Sequence, residues 1–335
     1  MTLRSILVPL DGSQFGEYAL PHALSLARRA GARVELAHAR EPVSLWDVPA
    51  GRTPEDEDRR ATEQALTYLA DVARRVRTAS PSVEITTTLL HGSAADALHK
   101  YPNVARPDIV YLTTSLLHGS VADALCDYVA KVQPDLVVLT THGRGPLSRF
   151  WLGSAATDLV QRAPAPVLLV RPKESPPDLA ADVAPRSILI PLDGSPFGEQ
   201  VIPTAVSVGT LAGTEYRLLR VVPPIISSSG IGGNGPLASS RTVADQLRAE
   251  ASGYLVGLTV RVPGLRSAQP HVAVDWPPAG AILADAEANG IDLIALETRG
   301  RSGLAKLFLG SVADKVVRET TKPVLLHRLL PVVEK

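Results

Sequence analysis

Short apolar runs and amphipathic stretches alternate along most of the chain. Runs rich in Val, Ile and Leu, such as Ser5–Leu10, precede segments with apolar residues at helical spacing, such as residues 17–30. A short continuous apolar run is typical of a parallel strand that is buried on both faces. The alternation predicts an α/β fold in which right-handed crossovers join parallel strands into an open sheet with helices on both faces.

The same pattern places the individual elements. In the first half it predicts strands at 5–10, 34–39, 83–90, 135–140 and 166–170, and helices at 17–30, 55–77 and 154–162, with a further helix beginning near residue 94. In the second half it predicts strands at 187–192, 215–222, 270–276, 291–296 and 323–327, and helices at 199–212, 241–257, 279–289 and 311–319.

The two halves repeat one another. Ser5-Ile-Leu-Val-Pro-Leu-Asp-Gly-Ser13 returns as Ser187-Ile-Leu-Ile-Pro-Leu-Asp-Gly-Ser195, and Phe15-Gly-Glu17 returns as Phe197-Gly-Glu199. Near the end of each half, Leu-Gly-Ser recurs after a Gly-Arg pair. We therefore predict one domain written twice, over residues 1–171 and 187–330, with a proline-containing linker at 172–186.

A second, smaller repeat lies inside the first domain. Residues 86–112 and 113–139 share 16 identities in 27 positions, without a gap. This tandem copy of a strand–helix–strand stretch accounts for the greater length of the first domain. It predicts a sixth strand over 109–117 at the edge of the first sheet, and the alternative is an irregular insertion.

Composition narrows the class of protein. The 335 residues include 34 basic and 34 acidic side chains, which argues against a general binder of nucleic acid or of anionic lipid. Aromatic residues make up only 4%, too few for a base-stacking platform. The one cysteine, Cys126, excludes an intramolecular disulfide and is predicted to be a small buried residue on a helix. With no signal-peptide pattern and no membrane-spanning run, we expect a cytoplasmic protein.

An aspartate follows the first strand of each half. Asp11, two residues after Pro9, and Asp193, two residues after Pro191, stand where ligands bind in open α/β sheets. A carboxylate there can accept hydrogen bonds from ribose hydroxyls or reach a cation that is bound to phosphate. The alternative interpretation is an aspartate that caps the following helix.

A glycine loop follows a late strand of each half. Gly143 is followed by nine residues and then Gly153-Ser154, and Gly300 is followed by nine residues and then Gly310-Ser311. Glycine allows backbone N–H groups to approach a polyphosphate, and the start of a helix favours negative charge. By contrast, His91-Gly-Ser93 and His118-Gly-Ser120 are interpreted as strand–helix turns in which the serine caps the helix.

These residues identify a family resemblance. Each half resembles the universal stress protein domain in its Pro-x-Asp-Gly-Ser opening, its Gly-x9-Gly-Ser loop and its closing Pro-Val-Leu-Leu strand, at 166–169 and 323–326. The resemblance implies two copies of an open, parallel, three-layer α/β/α domain like that of the adenine-nucleotide α-hydrolases, the first copy carrying the duplicated strand–helix unit. It also implies pairing of the two domains within the chain and a homodimer formed through the last strand.

The resemblance assigns a nucleotide site to each half. The residues implied for the first site are Pro9, Asp11, Ala39, Leu139, Thr140, Gly143, Gly153 and Ser154, and those for the second are Pro191, Asp193, Val221, Leu296, Glu297, Gly300, Gly310 and Ser311. Both halves depart from the family pattern at the first motif glycine, where Thr140 and Glu297 stand. Glu297 would repel phosphate unless magnesium, Arg299 or Arg301 offset its charge.

The function that this resemblance implies is a stress-response sensor or regulator that binds ATP, alone or with magnesium, and that is not an enzyme beyond slow ATP hydrolysis at most. One alternative is a nucleotide-free scaffold of the same fold that works through protein contacts, which Glu297 favours. The other is an enzyme that adenylates a substrate. The sequence does not identify a regulatory protein partner, and neither nucleic acid nor a membrane is expected as a partner.

Overall fold

The computed structural model describes residues 2–40, 43, 46, 48–92, 112–117, 120–141, 153–173, 175–224, 237–298 and 309–328. The chain divides into two compact units, whose continuous spans are Met1–Ala184 and Pro185–Pro331. Residues 172–184 of the predicted linker therefore belong to the first unit.

The first unit is built on a parallel sheet with the strand order β4-β3-β2-β1-β5-β6. Its strands are β1 Ser5–Leu10, β2 Arg33–Arg40, β3 Ile85–Gly92, β4 Leu112–Leu117, β5 Leu136–Thr140 and β6 Val167–Val170. Its helices are α1 Ala19–Ala30, α2 Pro54–Ala79, α3 Val121–Val132 and α4 Ser154–Arg162.

The second unit has the same arrangement without the edge strand, in the order β11-β10-β7-β8-β9. Its strands are β7 Ser187–Pro191, β8 Glu215–Val222, β9 Gln269–Val274, β10 Leu293–Thr298 and β11 Val324–Arg328. Its helices are α5 Val201–Thr210, α6 Leu237–Arg261, α7 Pro278–Ala288 and α8 Ser311–Glu319. The predicted α/β architecture is confirmed for both units.

Helices cover both faces of the first sheet, and β2 shows this directly. Arg40 forms an ion pair with Asp58 on α2, whereas Glu35, on the opposite face of β2, accepts a hydrogen bond from the Tyr128 hydroxyl on α3. Successive strand residues point to opposite faces of a sheet. The sheet is therefore the middle layer between α2 and α3.

The predicted sixth strand of the first unit is confirmed. β4 lies at the sheet edge and pairs in parallel with β3, with Thr88 opposite Thr113. The sequence alignment of the two copies places Thr86 opposite Thr113, so the ladder is shifted by two residues from that alignment. Because side chains alternate between the two faces of a sheet, an even shift keeps equivalent positions of the two copies on the same face. The part of this predicted strand at 109–111, and the helix expected near 94, lie outside the described residues.

The helix of the second copy, α3, packs against β2 and β3. The Tyr128 hydroxyl bonds Glu35 on β2 and lies 3.2 Å from the Thr88 hydroxyl on β3, which itself donates to Glu35 at 2.5 Å. In the second unit, Arg217 and Asp285 take the equivalent places and form a bidentate ion pair at 2.7 and 2.9 Å. The same helix-to-sheet contact is thus built twice from different chemistry, and the inserted strand does not displace it.

The duplication leaves the centre of the first sheet in the register of the second. Ile6 pairs with Leu136 between β1 and β5, and the equivalent Ile188 pairs with Leu293 between β7 and β10. Strand order reverses at these two pairs, since the second strand of each unit lies on the other side of the first. Ligands bind at such a switch point, outside the carboxyl ends of the strands.

The segment after β6 is fastened to α1. Asp182 accepts hydrogen bonds from the Ser25 hydroxyl and the Arg29 guanidinium, each at 2.5 Å, and Arg28 donates to the Ala181 carbonyl at 2.8 Å. The Arg29 hydrogen bond is the main reason that the pKa of Asp182 lies well below its ordinary value.

On α3, Cys126 is buried as predicted, and burial raises the pKa of its thiol to about 11.

Candidate functional site

The turn after β1 holds Asp11 by its side chain. The Ser13 backbone N–H and hydroxyl donate to Asp11 Oδ1 at 3.0 and 2.7 Å, and the Ser13 hydroxyl accepts from the Gly16 N–H at 3.2 Å. The helical segment that follows begins at Gly16 without a side-chain cap. The helix-capping interpretation of Asp11 is therefore wrong, because the carboxylate closes its own turn instead.

The second unit repeats this turn. The Ser195 N–H and hydroxyl donate to Asp193 Oδ1 at 2.9 and 2.6 Å, and the Gly198 N–H donates to the Ser195 hydroxyl at 3.1 Å. Gly12 and Gly194 take φ values of 81° and 80°, a conformation that side chains with a Cβ rarely adopt. The Asp-Gly-Ser triplet is thus explained by the backbone of the turn.

The repeated glycine in Phe-Gly-Glu also has a physical reason. A Cβ on Gly16 would collide with Asp11 Oδ1, and a Cβ on Gly198 would lie 2.7 Å from Asp193 Oδ1. Real Cβ atoms essentially never come that close. Each glycine therefore makes room for the carboxylate of its turn, which fixes the aspartate at the carboxyl end of the first strand.

Behind the Asp11 turn lies an ion pair whose carboxylate is buried. Glu17 is 5% exposed and receives two hydrogen bonds from Arg75 on α2, at 2.8 and 2.9 Å. Tyr68 lies seven residues before Arg75, on the same face of α2. Its pKa is raised well above the ordinary value, first by burial and then by the Glu17 and Asp11 carboxylates. This cluster ties α2 to the first turn.

The second unit carries the same cluster in a more exposed form. Arg261 on α6 donates to Glu199 at 2.6 Å, and Tyr254 lies seven residues before Arg261. The side chains of Arg261 and Glu199 are 55% and 23% exposed, against 37% and 6% for Arg75 and Glu17. The ion pair of the first unit is therefore the more strongly desolvated of the two.

The end of β5 provides the other side of the first site. Leu139 and Thr140 are buried, and the Thr141 N–H donates to the Val170 carbonyl at 2.9 Å. The Gly153 N–H donates to the Thr141 carbonyl at 2.8 Å, so the chain returns to the end of β5 immediately before α4 begins at Ser154. This places Gly153 and Ser154 beside the switch point, as the sequence predicts.

The two motif glycines before the late helices differ. Gly153 has a φ of −59°, which any residue adopts, and among the described residues a Cβ there would meet only the Thr141 carbonyl oxygen, at an ordinary 3.6 Å. Gly310 has a φ of +90°, and a Cβ there would meet no atom of the described residues within 4 Å. The backbone therefore explains the glycine at 310, whereas neither the backbone nor the packing of the described neighbours explains the glycine at 153.

Glu297 has a charge partner that was not predicted from the sequence. Its carboxylate Oε2 lies 2.9 Å from Nδ1 of His327, the residue opposite it on β11, and its side chain is only 5% exposed. The expected charge partners Arg299 and Arg301 lie outside the described residues. Strand register could have found this pair, because Glu297 on β10 and His327 on β11 are ladder partners.

The remaining predicted residues lie where the strands end. The β1–β2 ladder pairs Leu10 with His38, so Asp11 and Ala39 follow as neighbours, and the β7–β8 ladder brings Asp193 and Val221 to the same relative place. Pro9, Pro191, Leu296 and Ser311 lie at the ends of β1, β7 and β10 and the start of α8. Gly143 and Gly300 lie outside the described residues.

The residues on α2 and α6 that support the two turns were not predicted from the sequence. Tyr68 and Arg75 recur as Tyr254 and Arg261 with one offset of 186 residues, which was a usable signal.

Ser120 is the N-cap of α3 and forms a capping box with Asp123, which confirms the structural interpretation of the second His-Gly-Ser triplet. Among the described residues, no group of three or more His, Cys, Asp or Glu side chains is arranged to hold a metal ion.

Comparison with known proteins identifies the family. A model of the universal stress protein family matches residues 2–171 and again 185–328, so the chain belongs to that family and carries its domain twice. The chain is 29% identical over 192 residues to a universal stress protein of Mycolicibacterium smegmatis, a match that covers 56% of this chain and 59% of that protein. A universal stress protein of Thermus aquaticus is 31% identical over 144 residues, which is 43% of this chain and 98% of that protein.

Solved structures agree on the fold. A universal stress protein from Archaeoglobus fulgidus superposes with a TM-score of 0.59 at 16% identity, over 97% of this chain and 96% of that chain. A functionally unknown protein from Pseudomonas aeruginosa superposes with a TM-score of 0.60 at 15% identity, over 97% of this chain and 92% of that chain. Within the part of the chain that the structure describes, no helix is both long enough and apolar enough to span a membrane.

Proposed function

We propose that this universal stress protein binds ATP at the carboxyl end of the first sheet and acts as a nucleotide-dependent regulator. Membership of the family gives the chain its role in the stress response. The nucleotide would lie across the switch point between β1 and β5, with its ribose toward Asp11 and its phosphates toward the start of α4. A change in occupancy would then be read by a protein partner.

The observation that carries this proposal is Gly153. Its backbone conformation and its neighbours among the described residues both leave room for a side chain, yet the position is occupied by glycine at the start of a helix. A helix start offers free N–H groups and a partial positive charge, which favour a phosphate group. A bare backbone at this point supports the close approach of a ligand.

Asp11 supports the adenosine side of the proposal. One of its carboxylate oxygens is committed to the Ser13 turn, which fixes the orientation of the group, and the residue is partly exposed at the carboxyl end of the central strand β1. A carboxylate in that place accepts hydrogen bonds from ribose hydroxyls. Gly16 allows this placement because it has no Cβ to push the carboxylate away.

The second unit supports the same function less directly. Asp193 repeats the first turn, but the glycine at 310 is already explained by its φ of +90°. Glu297 brings a carboxylate to the position of Thr140, and His327 holds that carboxylate on the last strand. These features weaken the case for ATP phosphates at the second unit, so we propose the first unit as the primary ATP site and the second unit as a weaker nucleotide site.

Calorimetric titration of the intact chain with ATP, with and without magnesium, tests the proposal. We expect Asp11→Asn to weaken binding at the first site by about tenfold or more, because one charge-assisted acceptor is lost. The amide keeps Oδ1 to receive the Ser13 N–H, so the turn survives. Gly153→Ala is expected to weaken ATP binding too, while the midpoint of thermal unfolding stays unchanged or rises slightly.

Gly310→Ala is the matched control for backbone strain. Because a φ of +90° strains any residue with a Cβ, this variant is expected to lose about 1 kcal/mol of stability, unlike Gly153→Ala. ATP affinity that is the same in the native chain, Asp11→Asn and Gly153→Ala would contradict the assignment of the first site. An absence of heat or of bound nucleotide at millimolar ATP would contradict the function itself.

A further inference from the structure

The two candidate sites differ at the carboxyl end of the second strand of each unit. His38 on β2 corresponds to Arg220 on β8, since the same offset of 182 residues relates the first strands and turns. His38 is buried, and its Nδ1–H donates to the Leu10 carbonyl at 2.8 Å. Its ring also meets the Tyr68 ring edge-on, at 5.7 Å between centroids. The imidazole therefore contacts groups of its own unit through Nδ1–H and through its ring.

Arg220 has different surroundings. Its guanidinium carbon lies 5.3 Å from the centre of the Tyr254 ring, and the guanidinium occupies the space that a Cβ on Gly194 would fill. The side chain is half-buried, and no carboxylate among the described residues forms an ion pair with it. A guanidinium that rests on an aromatic face keeps its N–H donors at its edge, where they can meet an anion.

The position of this cation indicates which part of a nucleotide it would meet. β7 lies between β8 and β10, so Arg220 is on one side of Asp193 and the start of α8 at Ser311 is on the other. Phosphates on the 5′ oxygen belong at the helix start, which leaves the ribose hydroxyls on the side of Arg220. In related α/β sheets, an arginine near the ribose accommodates a 2′-phosphate.

We infer that Arg220 is a specificity-determining residue, which makes the second site prefer adenine nucleotides that carry a phosphate on the ribose 2′ or 3′ oxygen. This inference rests on the proposed function, because it takes the second unit to be a nucleotide site. Paired N–H groups of a guanidinium match the oxygens of a phosphate in geometry and charge. The first site has His38 there, already bonded to Leu10, and accepts an unsubstituted ribose.

The test compares AMP with adenosine 2′,5′-bisphosphate and adenosine 3′,5′-bisphosphate by calorimetry. It uses the full chain carrying Asp11→Asn, so that the second site dominates the signal. We expect one bisphosphate to bind at least about tenfold more tightly than AMP, and the better isomer identifies the oxygen. Arg220→His, which copies the first site, is expected to abolish this preference while the affinity for AMP is kept.

The first site supplies the reciprocal variant. His38→Arg, placed in a chain with Asp193→Asn, is expected to create a preference for a bisphosphate at the first site. Equal affinities for AMP and both bisphosphates in the Arg220 chain, or a preference that survives Arg220→His, would overturn the inference and leave the proposed function standing. Failure of both AMP and ATP to bind the native chain would overturn the proposed function and the inference together.

Discussion

Deletion of residues 86–112 is expected to leave a folded first unit, whereas deletion of residues 113–139 is expected to destabilise that unit by about 3 kcal/mol. Each deletion removes one copy of the repeat. The first joins Ile85 to Thr113 and keeps α3, and it brings Ser115 to the place of Thr88, so a hydroxyl still faces Tyr128. The product has the strand order of the second unit, which is built on five strands.

The second deletion keeps the other copy of the helix sequence. Tyr101 then takes the place of Tyr128, but Pro102 takes the place of Val129, a fully buried residue inside α3. Proline lacks the N–H for the helical hydrogen bond and its ring collides with the preceding turn. The two variants differ at the 11 positions where the two copies differ, and this proline is the change that interrupts the hydrogen bonds of the helix itself.

Urea unfolding followed by circular dichroism measures the difference between the two deletions. Hydrogen-exchange mass spectrometry on peptides from residues 2–40 assigns the loss of stability to the first unit. Equal unfolding midpoints for the two variants would contradict the role given to α3 of the second copy. An unfolded product of the 86–112 deletion would contradict the account of β4 as an added edge strand.

Arg75→Met is expected to lower the free energy of unfolding of the first unit by about 3 kcal/mol. The matched variant Arg261→Met is expected to lower that of the second unit by about 1 kcal/mol or less. Methionine keeps much of the volume of arginine but leaves the Glu17 carboxylate, 5% exposed, without its cation. Removing one partner of a buried ion pair is costly because the other charge stays desolvated. Glu199 is more exposed and retains contact with water when Arg261 is removed.

A double-mutant cycle separates this charge effect from lost packing. Glu17→Gln combined with Arg75→Met is expected to recover most of the lost free energy of unfolding, since the orphaned charge is gone. The measurement is the urea midpoint of the four proteins in the cycle, with hydrogen exchange used to locate the change in the first unit. Equal costs for Arg75→Met and Arg261→Met would show that burial of Glu17 does not govern the effect.

The repeats predicted the architecture well because they carry the alternation of strands and helices twice. The sixth strand was predictable because a copied strand has the apolar pattern of its original and an edge is the free place beside it. The register between β3 and β4 was not predictable, since any even shift satisfies that pattern. Thr88 opposite Thr113 could be learned only from the ladder itself.

The candidate site was predictable in outline and less so in detail. Asp11 was placed correctly at the end of β1, but spacing alone could not separate a helix cap from an aspartate that closes its own turn, which depends on side-chain rotation. Gly153 and Gly310 look equivalent in sequence, and only their φ values distinguish them. His327 was missed because it meets Glu297 across strands that are 30 residues apart in sequence.

Native mass spectrometry of the intact chain in the presence of ATP tests the central claim most directly. We expect at least one ATP bound per chain, with that adduct lost or strongly reduced in Asp11→Asn and in Gly153→Ala, both of which should remain folded. A chain that stays free of nucleotide at saturating ATP, with and without magnesium, would contradict it, as would an adduct that both variants keep in full.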